Sequence, residues 1–224
     1  MVINTHYRFL FVHIPKAAGT SVMDCLATLK GNNRSWLAGT KHETLAEFEG
    51  AWEGRQSPED RRLGFDPLNY FRFGFVRNPW DRMSSLYRYL VEQRPVPDID
   101  SVSSFKDFLV QADQNAAWIR RLHSLRPQVD FFTTNDRILS IDFLGHFEHL
   151  LEELKTVEQR IGCALEVPHL NRSSNHNRDY RNDYDSEMVE IVGRIFADDV
   201  RHLGYGFEQA PPSKRCSGRL IRPR

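Results

Sequence analysis

Between Tyr7 and Leu29 the hydrophobic period of the chain changes from that of a strand to that of a helix. The switch falls on a glycine-and-hydroxyl turn. Tyr7 to Ile14 (YRFLFVHI) is a short run of aromatic and branched residues that ends at Pro15, which predicts a buried strand. After Gly19-Thr20-Ser21, the residues Val22, Cys25, Leu26 and Leu29 fall on one helical face. A strand that feeds a helix through such a turn belongs to an α/β architecture.

The pattern recurs. Phe71 to Val76 predicts a second strand, followed by Asn78 as N-cap, Pro79 as first helical residue and Asp81 in the first turn. Met83, Leu86, Tyr87, Leu90 and Val91 form the apolar stripe of that helix, which Pro95 and Pro97 stop. A short helix is expected over Thr44 to Trp52, and another after Ser104. Ile138 to Leu144 predicts a further strand, and Leu150, Leu151, Leu154, Val157 and Ile161 a helix that stops at Gly162. Val167 to Asn182 reads as a polar loop. Asp185 or Ser186 caps a last helix with Met188, Val189, Val192, Ile195 and Phe196. Alternating strands and helices predict a P-loop-like, mostly parallel sheet flanked by helices. One domain is expected over 1–208, with a tail over 209–224.

That tail holds Lys214, Arg215, Arg219, Arg222 and Arg224 and no acid, and reads as a solvated, disordered segment. The whole chain balances 30 basic against 30 acidic residues, so the body without its tail is mildly acidic. This argues against a nucleic-acid binder. The three cysteines, Cys25, Cys163 and Cys216, have neither disulfide-framework nor zinc-ligand spacing. With no signal peptide and no bilayer-length apolar stretch, a soluble cytoplasmic protein without a metal is expected.

His13-Ile14-Pro15-Lys16-Ala17-Ala18-Gly19-Thr20-Ser21 is suited to a phosphate-like group. The helix start offers N–H groups and a positive dipole end. Gly19 permits close backbone approach, Thr20 and Ser21 add hydroxyl donors, and Lys16 adds a mobile cation. Lys16 lies four residues before Thr20, so the spacing is not that of a Walker A loop. The same residues also suit a plain capped helix with a surface lysine. In Phe75 to Ser85 the logic repeats: Arg77 can fork onto phosphate oxygens and Ser85 can donate from the exposed helix face. Arg77 can equally pair with Asp81. Two such junctions suggest a ligand with phosphates at two ends.

HIPKAAGTS (His13 to Ser21) and FVRNPWDRMSSLYRY (Phe75 to Tyr89) resemble the sulfotransferase family, particularly its carbohydrate branch. The similarity continues through DFLGHFEHL (Asp142 to Leu150), VPHLNRSS (Val167 to Ser174) and DYDSEMVEIVGRIFADDVRHLGYGF (Asp183 to Phe207). It implies 3′-phosphoadenosine-5′-phosphosulfate (PAPS) as donor and a carbohydrate hydroxyl as acceptor. It places Lys16, Ala18, Gly19, Thr20 and Ser21 at the 5′-phosphosulfate, and Arg77 and Ser85 at the 3′-phosphate. Asn171 and Ser173 would contact the nucleotide from the late loop. At His146, before Phe147-Glu148, relatives often carry Arg, so the role of that position stays open.

Sulfuryl transfer leaves positioning and charge stabilisation to the protein. Lys16 is the candidate for the leaving oxygen. The candidate general base is His42, in Lys41-His42-Glu43-Thr44-Leu45, with Glu43 as substitute. A surface histidine capping the following helix fits His42 as well. His13 reads as a support for the loop. Trp36, Trp52 and Trp80 suit either a sugar face or the core. A nucleotide kinase and a non-catalytic nucleotide-binding protein remain the rival readings.

Overall fold

The computed structural model describes residues 1–30, 33–35, 41–55, 58, 62, 66–93, 95–136, 138–166, 179–209 and 220–221. Its strands are β1 (Val2–Asn4), β2 (Phe9–Val12), β3 (Asn33–Ser35), β4 (Phe71–Val76), β5 (Ile138–Leu139), β6 (Phe143–His146) and β7 (Leu220–Ile221). Its helices are α1 (Gly19–Ala27), α2 (Leu45–Arg55), α3 (Pro79–Arg88), α4 (Phe105–Asp113), α5 (Gln128–Phe131), α6 (Leu150–Ile161), α7 (Ser186–Ile195) and α8 (Ala197–Leu203). Two compact units interleave along the chain. One takes Met1–Val76, Gln128–Arg172 and Ser213–Arg224; the other takes Arg77–Pro127 and Ser173–Pro212.

The first unit is built on a five-stranded sheet of order β3-β1-β2-β4-β6. β2, β4 and β6 run parallel, with Val12 opposite Gly74 and Val76 opposite His146. Their carboxyl ends therefore share one edge, where α/β sheets bind ligands. β1 and β3 extend the sheet antiparallel on the far side of β2. The α/β architecture is as expected, and the sheet is mixed. β1 is too short to show a period. It is set by Asn4, whose Oδ1 accepts the N–H groups of His6 (3.0 Å) and Tyr7 (2.9 Å), while Nδ2 donates to the carbonyl of Lys30.

β2 is buried along its whole length, as a strand covered on both faces must be. Phe9, Phe11, Phe73, Phe75 and Phe143 form its aromatic core. Val22 and Leu26 of α1 and Leu150, Leu154, Val157 and Ile161 of α6 close over them. Leu151 lies one residue off the buried stripe of α6 and is 66% exposed, unlike the sequence expectation. Gly162 ends α6, as the sequence predicts, and takes a left-handed φ of 70°.

The single strand expected over Ile138 to Leu144 is divided. β5 pairs with β7, and β6 joins the main sheet. The break falls at Ser140 and Asp142, whose N–H groups donate to the carbonyls of Phe132 (2.8 Å) and Arg72 (2.9 Å). Leu220 and Ile221 of the tail thus lie in a strand; residues 210–219 and 222–224 lie outside the described residues.

In the second unit Trp80, Met83, Leu86 and Leu90 pack on Phe108, Leu109, Met188, Ile191, Val192 and Phe196. After Arg88 the helix widens into a π turn over Tyr89–Gln93. The phase shifts there, and Val91, expected in the stripe, is 47% exposed. Ser104 and Asp185 cap α4 and α7 through the N–H groups of Asp107 and Met188. Trp52 and Trp80 are both buried, so neither presents a stacking face; Trp36 lies outside the described residues. No described helix is long and apolar enough to cross a membrane.

Candidate active site

β2 delivers the chain into the first anion-ready junction. Lys16 and Ala18 both adopt left-handed backbone, at φ 66° and 56°. Each costs a non-glycine residue about 1–3 kcal/mol, a strain that concentrates at ligand-binding turns. Left-handed residues in a turn aim successive N–H groups inward as an anion-binding concavity. Ala18 stands at the N-cap of α1 and supplies no side-chain cap, and the first turn carries no acid. The helix start thus has neither a side-chain cap nor a first-turn carboxylate. Thr20 is exposed there, and Ser21 and Lys16 are half-buried.

Gly19 has a reason beyond the one read from sequence. A Cβ at Gly19 would lie 1.9 Å from Cδ2 of His13, so the imidazole fills that volume. Gly19 is not among the positive-φ residues, so its requirement is steric.

His42 lies beside this junction. Its ring is 4.5 Å from that of His13, and its Nδ1 is 3.2 Å from the His13 carbonyl oxygen. A carbonyl can only accept, so Nδ1 carries the hydrogen; in the neutral ring this leaves the lone pair on Nε2, the tautomer of a base acting through Nε2. The helix that follows is capped by Thr44 instead. Thr44 Oγ1 accepts the Glu47 N–H (3.1 Å), and the Glu47 carboxylate accepts the Thr44 N–H (2.8 Å). This reciprocal box was legible as Thr44-x-x-Glu47, and it removes capping as the reason for His42. Glu43 is fully buried and faces the Met1 amino group at 3.4 Å, which makes it a poor substitute base.

At the second junction part of the donor set is taken up by the protein itself. Asn78 caps α3 through the Trp80 N–H (3.0 Å) and donates to the Gly206 carbonyl (2.9 Å). Arg77 Nε donates to Asp81 Oδ2 at 2.7 Å, the alternative pairing the sequence allowed. That bond uses one of the five N–H donors of a guanidinium. Ser85 is half-buried on α3, while its neighbour Ser84 is buried and donates to Asp183 (2.9 Å). Asn171 and Ser173 lie outside the described residues. Asn78→Ala should remove the cap and strand the Gly206 carbonyl, lowering stability in denaturant unfolding by about 1–2 kcal/mol.

Residues 1–206 match the sulfotransferase family. The chain belongs to that family. Among solved structures it is similar to a sulfotransferase from Alicyclobacillus acidocaldarius. Identity is 16%, over 87% of this chain and 92% of that one, with a TM-score of 0.44. No curated protein matches it.

The sequence left the role of His146 open and gave none to Arg82; both are buried polar groups. His146, at the end of β6, is buried with Glu153; its N–H donates to one carboxylate oxygen, and its Nδ1 lies 3.2 Å from the other. Arg82 is 1% exposed and donates to the carbonyls of Ser124 (2.6 Å) and Arg126 (3.0 Å), with Asp199 at 4.0 Å. Burial pushes its pKa down to about 10; Asp199 opposes the shift and Arg77 adds to it. Both side chains sit in stretches whose pattern gives no sign of burial. Among the described residues no group of three His, Cys, Asp or Glu could hold a metal ion.

Proposed function

We propose that this sulfotransferase moves the sulfuryl group of PAPS to a carbohydrate hydroxyl, with His42 as general base and Lys16 at the leaving oxygen. The observation that carries the reading is His42 itself. It sits against the junction that follows β2, with Nδ1–H held on the His13 carbonyl and its lone pair on Nε2. The left-handed turns at Lys16 and Ala18 and the helix start without a side-chain cap suit a phosphosulfate.

When bound, PAPS supplies an activated sulfuryl group on a phosphate leaving group. His42 Nε2 would take the proton of the acceptor hydroxyl as the sulfuryl group passes to that oxygen. Lys16 would stabilise the charge left on the departing phosphate oxygen, and Thr20, Ser21 and the N–H groups from Ala18 and Gly19 would hold the remaining oxygens. Arg77 and Ser85 are assigned to the 3′-phosphate, and Asn171 and Ser173 to further nucleotide contacts. The catalytic domain is assigned to 1–208; of the tail over 209–224, Leu220 and Ile221 are tied to it by pairing with β5. The family match does not favour the kinase reading. A panel of sugars and small alcohols with labelled donor tests turnover and acceptor class together; a nucleotide-binding protein without turnover labels none.

Calorimetry tests the donor. 3′-Phosphoadenosine-5′-phosphate should bind much more tightly than ADP. Arg77→Ala should weaken it by about ten- to a hundred-fold, the scale of one lost charge-assisted contact. Equal affinity for ADP would remove Arg77 and Ser85 as readers of a 3′-phosphate.

A further inference from the structure

We propose that His13 is a positioning residue that couples the phosphate loop to His42, so that seating an anion at the start of α1 sets the orientation of the base. The proposal rests on the reading of His42 given above.

His13 is the first residue past β2 and is 2% exposed. Three neighbours grip it. Phe11 stacks on its ring at 6.1 Å and 18°. Gly19, the first residue of α1, meets the Cδ2–Nε2 edge so closely that an added Cβ would lie 1.9 and 2.3 Å from those atoms. His42 lies 4.5 Å from the ring and holds the carbonyl of the same residue through Nδ1–H. One residue therefore touches the helix start with its side chain, and the base with side chain and backbone together.

Contact at Gly19 leaves no gap, so a displacement of the loop backbone moves the imidazole, and the imidazole meets His42. No hydrogen bond anchors the ring elsewhere through Nδ1, which is buried with no partner among the described residues. Burying such an atom unbonded is unfavourable, and a group of this kind in a native protein calls for an explanation. A ring held by shape follows the loop; a ring tied to a distant acceptor does not. Burial first, then the charges of His42, the Met1 amino group and Lys41, hold the His13 pKa well below the imidazole range. Glu43, next to His42 in sequence, faces the Met1 amino group instead. The ring thus stays neutral and does not compete with His42 for the acceptor's proton.

The test is a double-mutant cycle on the full chain: Gly19→Ala, His13→Ala and the pair, read by calorimetry with 3′-phosphoadenosine-5′-phosphate. Gly19→Ala should weaken binding at least about tenfold, because an overpacked site must shift. In the His13→Ala background the same change should cost less than about twofold. Equal effects in both backgrounds overturn the steric claim. If Gly19→Ala alone does not fold, recovery of a folded protein in the pair supports the claim, and failure of the pair overturns it. The same cycle read in melting temperature needs no nucleotide, so a wrong donor assignment is separable. For the coupling, nucleotide should shift the His42 ring-proton resonances in the wild type, and that shift should vanish in His13→Ala at saturating nucleotide. A shift of unchanged size overturns the coupling. His42→Ala with normal turnover would sink the base assignment alone, since neither the cycle nor the resonance depends on it.

Discussion

Replacing His42 by alanine is expected to lower turnover by about a hundred- to ten-thousand-fold, the scale of a lost general base. Affinity for 3′-phosphoadenosine-5′-phosphate should change by less than about threefold, because His42 contacts the loop through His13 and is not itself a phosphate ligand in this reading. The structure makes the variant interpretable. α2 is capped by Thr44 and Glu47, so the helix start survives the loss of the imidazole. A base acting through Nε2 must be unprotonated, so wild-type turnover falls on the acid side. That limb should vanish in His42→Ala. His13 cannot supply it in its place, because burial keeps that ring neutral across the working range. Near-normal turnover of His42→Ala at every pH would place the base elsewhere. Glu43 is then a weak successor, since it is enclosed with the Met1 amino group, and a carboxylate from the acceptor-side loops becomes the candidate.

What the sequence shows best is what short-range pattern encodes. The β2 run, the helical period from Val22 and the Asn78-Pro79 start of α3 are each written within a few residues, and each stands in the structure. Boundaries shift where tertiary contacts decide. Ile138 to Leu144 is apolar enough for one strand, yet hydrogen bonds from Ser140 and Asp142 to Phe132 and Arg72 divide it. The second unit joins α3 and α4 to α7 and α8 across about a hundred residues of chain, and no local period carries that association.

Site residues follow the same rule. The candidate phosphate loop, His13 to Ser21, is visible as residue types in order. The wedge of His13 against Gly19 is not, because glycine at a helix start is equally explained by ligand approach. The Thr44-x-x-Glu47 box was there to be read, and reading it would have separated helix capping from the role of His42. Arg82 is the opposite case. Nothing near it in sequence announces a buried guanidinium, because its partners Ser124, Arg126 and Asp199 are distant in the chain.

Lys16 carries the other large effect. Lys16→Ala is expected to reduce turnover by about a hundred- to a thousand-fold, the range for removing one preorganised stabiliser of developing charge. Binding of the product nucleotide should weaken by about tenfold, the lower end for a charge-assisted contact. The inequality is the point: an interaction stronger in the transition state than in the ground state appears in kcat more than in affinity. Alanine is the right replacement because Lys16 sits at φ 66°. Alanine keeps a Cβ and so keeps the backbone strain, whereas glycine would relax the loop and mix two effects. Lys16→Arg keeps the charge on a longer, planar group and should recover binding better than turnover, since a fork does not place its charge where an ammonium does. The measurement is kcat against donor KM in steady state, beside calorimetry with the product nucleotide. A change confined to KM would make Lys16 a docking residue, and charge stabilisation at the leaving oxygen would then fall to the helix start and its hydroxyls.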